Sequence, residues 1–171
     1  MPNIVLVGYM GSGKSSIGKN LSKLLNLPYF DLDSEIEKKY NLSISTIFKE
    51  KGEIWFRKIE HELLDDFIKS KNNYILSLGG GTPCYANNHL LLQQTNITSI
   101  YLKASIETII LRTQNNLEKR PLLSQNKDDL KNFIGQHLFE RSYFYNFSKY
   151  KVDTNNKSVI ALCNEIANLI K

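Results

Sequence analysis

The run Ile4-Val5-Leu6-Val7-Gly8-Tyr9-Met10-Gly11-Ser12-Gly13-Lys14-Ser15-Ser16 decides how the chain is read. A short β-branched, apolar segment enters a loop with three glycines and then residues that suit a helix. Strand, loop and helix in that order are the setting for the phosphate-binding pattern G-x-x-x-x-G-K-[ST], met here from Gly8 to Ser15. Glycines let the backbone curl so that successive N–H groups face a phosphate chain, and a helix starting near Lys14 adds the positive end of its dipole. Gly11, Ser12 and Gly13 are then the cradle and Lys14 a point charge for the β- and γ-phosphates. Ser15 is a hydroxyl ligand for Mg²⁺, with Ser16 just beyond it.

Working outward, 171 residues suit one domain burying about two thirds of the surface its unfolded chain exposes. An apolar fraction of 42% and a charged fraction of 23% exclude a mainly disordered chain. No apolar run approaches the length needed to cross a bilayer. Met1-Pro2-Asn3 leads directly into the first strand without an export signal, so the expectation is a cytoplasmic protein whose Cys84 and Cys163 are reduced packing residues. The net charge of +5 comes from bases interleaved with acids, as in Lys49-Glu50-Lys51, which reads as a mixed solvated surface and not as a nucleic-acid footprint. His61, His89 and His137 have no metal-ligand spacing.

Apolar runs at Ile4 to Val7, Tyr29-Phe30, Tyr74 to Leu78, Ile97 to Leu102 and Tyr150 to Val152 predict five short strands separated by helical stretches. That alternation argues for an α/β fold with a parallel sheet covered on both faces, whose ligands gather at the carboxyl ends of the strands. Helices are expected from about Lys14 to Leu25, Ser43 to Lys49, Glu53 to Lys69, Ser105 to Arg112, Asp128 to Tyr145 and Ser158 to Ile170. Asp31 and Asp33, closing the second strand, point to one side if strand alternation holds, where magnesium answers one carboxylate and a substrate hydroxyl the other. The alternative is that Asp33 caps the helix that follows. Arg57 and Glu60, three apart on a helix, make either a surface pair or a guanidinium fork for a carboxylate. Gly79-Gly80-Gly81 ends the third strand, either as a flexible turn or as a place where a ligand approaches the backbone. No acid ends that strand, so Asp31 is the candidate for the metal-side carboxylate. Arg120 lies in a polar, basic, proline-stopped stretch that reads as a flap over the phosphates or as a solvated loop. Arg141 and Tyr145 share a helical face, and the aromatics from Tyr143 to Phe147 suit core packing better than a platform for bases. Asn126-Lys127-Asp128-Asp129 matches the string that reads guanine in GTPases, but the residues before it make a poor strand; Asn126 or Asp128 is assigned to a helix cap.

Taken in order, the phosphate loop, Asp31-Leu32-Asp33, Gly52-Glu53 with Phe56-Arg57-x-x-Glu60, Gly79-Gly80-Gly81, Arg120-Pro121-Leu122-Leu123 and Glu140-Arg141 with Tyr145 form a series that resembles shikimate kinase. The resemblance covers Asn3 to about Asp153. It implies a small monomeric P-loop NTPase fold of the nucleoside monophosphate kinase type, a single unit over residues 1–171. Its parallel sheet has five strands in the order 2-3-1-4-5, with a substrate-binding part near residues 32–60 and a lid near 113–125. It implies transfer of the ATP γ-phosphoryl group to the 3-hydroxyl of shikimate, on the route to chorismate and the aromatic amino acids.

By position, Asp33 then binds shikimate hydroxyls, Arg57 and Arg141 grip its carboxylate, and the Gly79, Gly80 and Gly81 backbone contacts its ring. Lys14 and Arg120 hold the phosphates, Ser15 and Asp31 hold Mg²⁺, Arg112 lies against adenine, and Phe48 and Phe56 match apolar pocket positions. Val152-Asp153-Thr154 lacks the proline that usually follows in the family's adenine loop, and Ser16 stands where Thr is frequent. The competing functions are a kinase for gluconate or a nucleoside monophosphate, and a nucleotide-binding module without catalysis.

Overall fold

Each of the five apolar runs forms a strand, and all five pair in parallel in the order β2-β3-β1-β4-β5 in the computed structural model, which describes residues 3–114, 123, 126 and 129–171. The strands are β1 (Asn3–Val7), β2 (Tyr29–Asp31), β3 (Ile75–Ser77), β4 (Ile97–Lys103) and β5 (Tyr150–Asp153). At the centre, Ile4 of β1 lies opposite Ile75 on one side and Thr98 on the other. Every residue of β1 is buried, as the apolar run Ile4 to Val7 requires of a strand covered on both faces, and the buried Asn3 accepts from Asn73 N. Successive side chains alternate between two cores. Ile4 and Leu6 pack with Ile17, Leu21 and Leu162, whereas Val5 and Val7 pack with Leu32, Phe56 and Tyr145.

The first core is roofed by α1 (Lys14–Leu25) and α7 (Val159–Leu169), the latter capped by the Ser158 hydroxyl. The second is roofed by α2 (Leu32–Tyr40), α3 (Ile44–Ser70), α5 (Ile106–Thr113) and α6 (Leu130–Tyr145). A single turn at Thr82–Cys84 and the short α4 (Asn88–Leu91) connect β3 to β4, both unexpected from periodicity. Among the described residues no helix is long and apolar enough to cross a membrane.

Two expectations need correction. Helix α2 begins at Leu32, one residue after β2, and its cap is Asp31, whose Oδ1 accepts from Ser34 N at 3.3 Å. Asp33 is therefore in the first helical turn and caps nothing, and the alternation argument for the two acids fails because the strand ends at Asp31. The break expected between two helices near residue 50 is present, because Gly52 interrupts Ile44–Ser70 with a non-helical backbone. Asn126 is not the cap of α6, which follows Asp129; the Asn126 carbonyl accepts from Asp129 N instead. Asp128, Arg120 and most of the expected lid lie outside the described residues.

Both cysteines are free thiols packed into the protein, Cys163 deeply and Cys84 partly. The aromatic run at the end of α6 is also packing: Tyr145 is fully buried, and Phe144 and Phe147 stack edge-on against His89.

Gly52 has φ 81 and ψ 170, and a Cβ built there would meet nothing within 4 Å. A side chain at this position suffers backbone strain without a clash. Gly52→Ala is expected to lower the unfolding free energy by about 1–3 kcal/mol in a urea titration; an unchanged midpoint would mean that the bend is not held at that residue.

Candidate active site

The phosphate loop follows from what ends β1. After Val7 the chain turns through Gly8 to Gly13, where Ser12 N donates to Tyr9 O at 3.1 Å. Gly13, at φ 100, lets α1 start at once, its carbonyl accepting from Ile17 N at 2.9 Å. Lys14 folds back over the loop, its Nζ donating to Gly8 O at 2.7 Å and Tyr9 O at 3.1 Å. Arg112, near the end of α5, reaches across from behind. Its Nη1 donates to Ser12 O (3.2 Å) and Thr154 Oγ1 (3.1 Å) and its Nη2 to Thr154 O (2.6 Å), so one guanidinium ties the loop to the turn after β5.

A cavity of about 320 Å³ opens over this loop. Gly11 and Gly13 to Ser16 line one side; Asp31, Asp33, Gly79 and Gly80 line the other. Ser12, expected in the cradle, is buried and turns its hydroxyl inward towards Gly8. Asp31 and Ser15 offer the hard oxygen donors that suit Mg²⁺. Among the described residues Asp31 accepts two long hydrogen bonds, from Ser34 N and, at 3.4 Å, from Tyr29 Oη, which leaves lone pairs suited to a cation or its waters. Among the described residues no three of His, Cys, Asp and Glu cluster as metal ligands.

A second cavity, of about 160 Å³, adjoins the first and shares Met10, Asp33, Gly79 and Gly80 with it. Its own walls are Arg57 and Glu60 of α3, Arg141 of α6, Gly81, and the apolar Ile44, Phe48 and Phe56. The triple glycine is what lets these groups meet. A Cβ on Gly79 would stand 3.0 Å from Asp33 Oδ1, one on Gly80 3.5 Å from Arg141 Nη1, and one on Gly81 2.8 Å from Arg57 Nη2. Tyr145 fixes the loop by donating its hydroxyl to Gly80 O at 2.6 Å, and burial holds that phenol far above its ordinary pKa.

The two arginines are braced differently. Arg57 lies 4.1 Å from the Tyr85 ring centroid and donates Nη1 to Glu60 at 2.9 Å; Glu60 is almost wholly buried, so this is no surface pair. Arg141 lies 5.4 Å from the Tyr9 ring, whose hydroxyl is bonded to His137 Nδ1 at 3.1 Å. Tyr9 and Thr82 were not singled out from sequence. Tyr9 occupies a position that the loop pattern leaves open; Thr82's only local signal is that it follows the third glycine. Cys84 is close enough to feel both arginines, but burial pushes its thiol up to about 11, which suits an inert packing group.

Among the described acids Asp33 stands out, pushed from 3.8 to about 6, by burial first and then by Asp31 and Glu60, against the opposing pull of Lys14 and Arg57. Asp31 and Asp33 thus border the larger cavity, while Arg57, paired with Glu60, and Arg141 line the smaller one. Such an arrangement suits a guest with an anionic group at one end and hydroxyls at the other.

Comparison with known proteins gives this geometry a context. Residues 10–171 match a family model described as shikimate kinase. A shikimate kinase of Flavobacterium johnsoniae is 50% identical over 171 residues, covering 99% of each chain. Among solved structures, the shikimate kinase from Acinetobacter baumannii in complex with shikimate aligns with a TM-score of 0.88 at 34% identity, over 99% of this chain and 93% of that one. The shikimate kinase from Bacteroides thetaiotaomicron aligns with a TM-score of 0.90 at 29% identity, over 99% and 98%.

The raised Asp33 pKa has a consequence for stability. The folded protein holds the Asp33 proton more tightly than the unfolded chain, so stability is lost as pH rises from about 4 to about 6 and stays lower above that window. Asp33→Asn is expected to unfold later than the parent at pH 7, by up to about 3 kcal/mol, with the gap closing towards pH 4. Thermal melts at the two pH values measure this; a variant less stable at pH 7 would refute the electrostatic assignment.

Proposed function

The chain belongs to the shikimate kinase family and is an ATP-dependent shikimate kinase, and from that premise we propose how its residues divide the reaction. ATP gives its γ-phosphoryl group to the 3-hydroxyl of shikimate, forming shikimate 3-phosphate and ADP. The observation that carries the division is the shared wall: Asp33, Gly79 and Gly80 line both cavities, so an acceptor in the smaller one lies beside a triphosphate in the larger.

In this reading Gly11 to Ser16 hold the triphosphate. Lys14 leaves the Gly8 and Tyr9 carbonyls for the phosphates, where a cation stabilises the negative charge that spreads during transfer. Ser15 and Asp31 would hold Mg²⁺, which when bound neutralises phosphate charge. Arg112, already anchored on Thr154, lies along the adenine. The turn after Thr154 lacks the proline usual in the family, so base contacts depend more on this guanidinium.

Arg57 and Arg141 take the shikimate carboxylate in their planar forks, and the Gly79–Gly81 backbone runs along the ring. Asp33 accepts the hydroxyls. As the new O–P bond forms and the bond to the β-phosphate breaks, the hydroxyl proton passes to Asp33, whose pKa near 6 suits a proton acceptor at neutral pH. Residues 32–60 form the acceptor-binding part, and 113–125 a lid from which Arg120 closes on the phosphates. The enzyme works as a monomer of one domain in the cytoplasm.

The arginine assignment is tested by coupled assay and ATP titration. Arg57→Ala and Arg141→Ala are each expected to raise the shikimate KM about 10- to 150-fold, the loss of one or more charged hydrogen bonds, with ATP affinity within about threefold of the parent. Equal loss of both ligands would mean that the helices had been disturbed instead.

A further inference from the structure

Behind Arg57 a line of hydrogen bonds leads away from the cavity. Glu60 accepts Arg57 Nη1 on Oε2 at 2.9 Å and the Thr82 hydroxyl on Oε1 at 2.6 Å. The Thr82 carbonyl accepts from Asn88 Nδ2 at 2.9 Å, and Asn88 Oδ1 is 2.6 Å from His61 Nδ1. Glu60, Thr82 and Asn88 are buried; His61, at the outer end, is partly exposed.

The direction of every bond is forced. Glu60 as a carboxylate can only accept, so the Thr82 hydroxyl donates. A carbonyl can only accept, so Asn88 turns its amide nitrogen to Thr82 and its oxygen to His61. His61 must then carry its proton on Nδ1. The line has no slack at either end, because each buried group has its partner. Thr82 also closes the glycine loop from its backbone, N donating to Gly79 O at 3.1 Å.

We propose that Thr82, supported by Asn88 and His61, is a positioning residue that sets the arginine grip on the acceptor carboxylate. By occupying Glu60 Oε1, the Thr82 hydroxyl keeps Glu60 from taking Arg57 in a two-point fork. Arg57 then uses Nη1 on Glu60 and keeps Nη2, which also makes a long 3.4 Å bond to the exposed Glu53 carboxylate, beside Gly81 on the wall of the acceptor cavity. Remove the hydroxyl and Oε1, buried and unpartnered, turns to the nearest strong donor, Arg57, withdrawing that second N–H from the cavity. The proposal rests on the reading of Arg57 as a carboxylate-binding residue.

Steady-state kinetics of the full chain test it. Thr82→Val, which keeps the shape and loses the hydroxyl, is expected to raise the shikimate KM about tenfold, with kcat and the ATP KM within about twofold, as for loss of one positioned hydrogen bond. Thr82→Ser restores the parent value to within about twofold. In an Arg57→Lys background, where no fork can form, the effect of Thr82→Val falls below about twofold. An unchanged shikimate KM in folded Thr82→Val, with Arg57→Ala still impaired, overturns the proposal and leaves the arginine reading intact; an unimpaired Arg57→Ala overturns the reading itself. Should Thr82→Val not fold, His61→Ala removes the outermost donor from a partly exposed position. About a threefold rise in shikimate KM is then expected, and no rise overturns the proposal.

Discussion

At Gly79 and Gly81 there is little room for anything but backbone. A Cβ on Gly79 would stand 3.0 Å from Asp33 and Thr82, one on Gly81 would stand 2.8 Å from Arg57, and Arg141 comes into contact distance of Gly80. Asp33, Arg141 and Arg57 come from α2, α6 and α3, elements far apart in sequence, and the shared absence of side chains lets them border one small space. The sheet places the bare segment, since β3 lies next to β1 and so delivers it beside the phosphate loop. Tyr145 then fixes its carbonyl from the far side. The relation between the two cavities depends on that close approach.

Charge is arranged with the same economy of space. Asp31, Asp33 and Glu60 lie close enough for Asp33 to be held well above its ordinary pKa, against the pull of Lys14 and Arg57. Some of these groups are partnered locally: Lys14 by loop carbonyls, Arg57 by Glu60, Asp31 by the first turn of α2. Carboxylates crowded at low exposure cost folding energy and gain from a cation or a row of hydroxyls, so stability and function pull apart at Asp33.

How far the sequence could be read follows from the range of each interaction. The phosphate loop and α1 were legible to the residue, because glycine geometry and helix initiation are local. The five strands were legible from apolar runs, with ends off by one or two residues, and their order came from the family resemblance. Asp31 and Asp33 were correctly placed near one another for an incorrect reason: the expected strand stops at Asp31, and a helical turn carries Asp33 round. The break between two helices at Gly52 was legible because glycine tolerates the positive φ found there. Phe48, Phe56 and Arg141 were assigned by position alone, and the cavity walls contain them. Thr82, Asn88 and His61 were not legible, since their bonds span turns and elements that no period announces. The same holds for Tyr9, whose ring braces Arg141 from an unconstrained position of the loop pattern.

The central claim is that Arg57, Arg141, Asp33 and the triple glycine enclose one acceptor beside the triphosphate cradle. A crystal structure of the protein with shikimate and ADP tests it most directly. The account predicts the shikimate carboxylate within hydrogen-bond distance of both guanidiniums, a ring hydroxyl on Asp33, and the 3-hydroxyl facing the ADP. A carboxylate bound away from the arginines, or a ring turned so that the 3-hydroxyl faces Phe48 and Phe56, would contradict it.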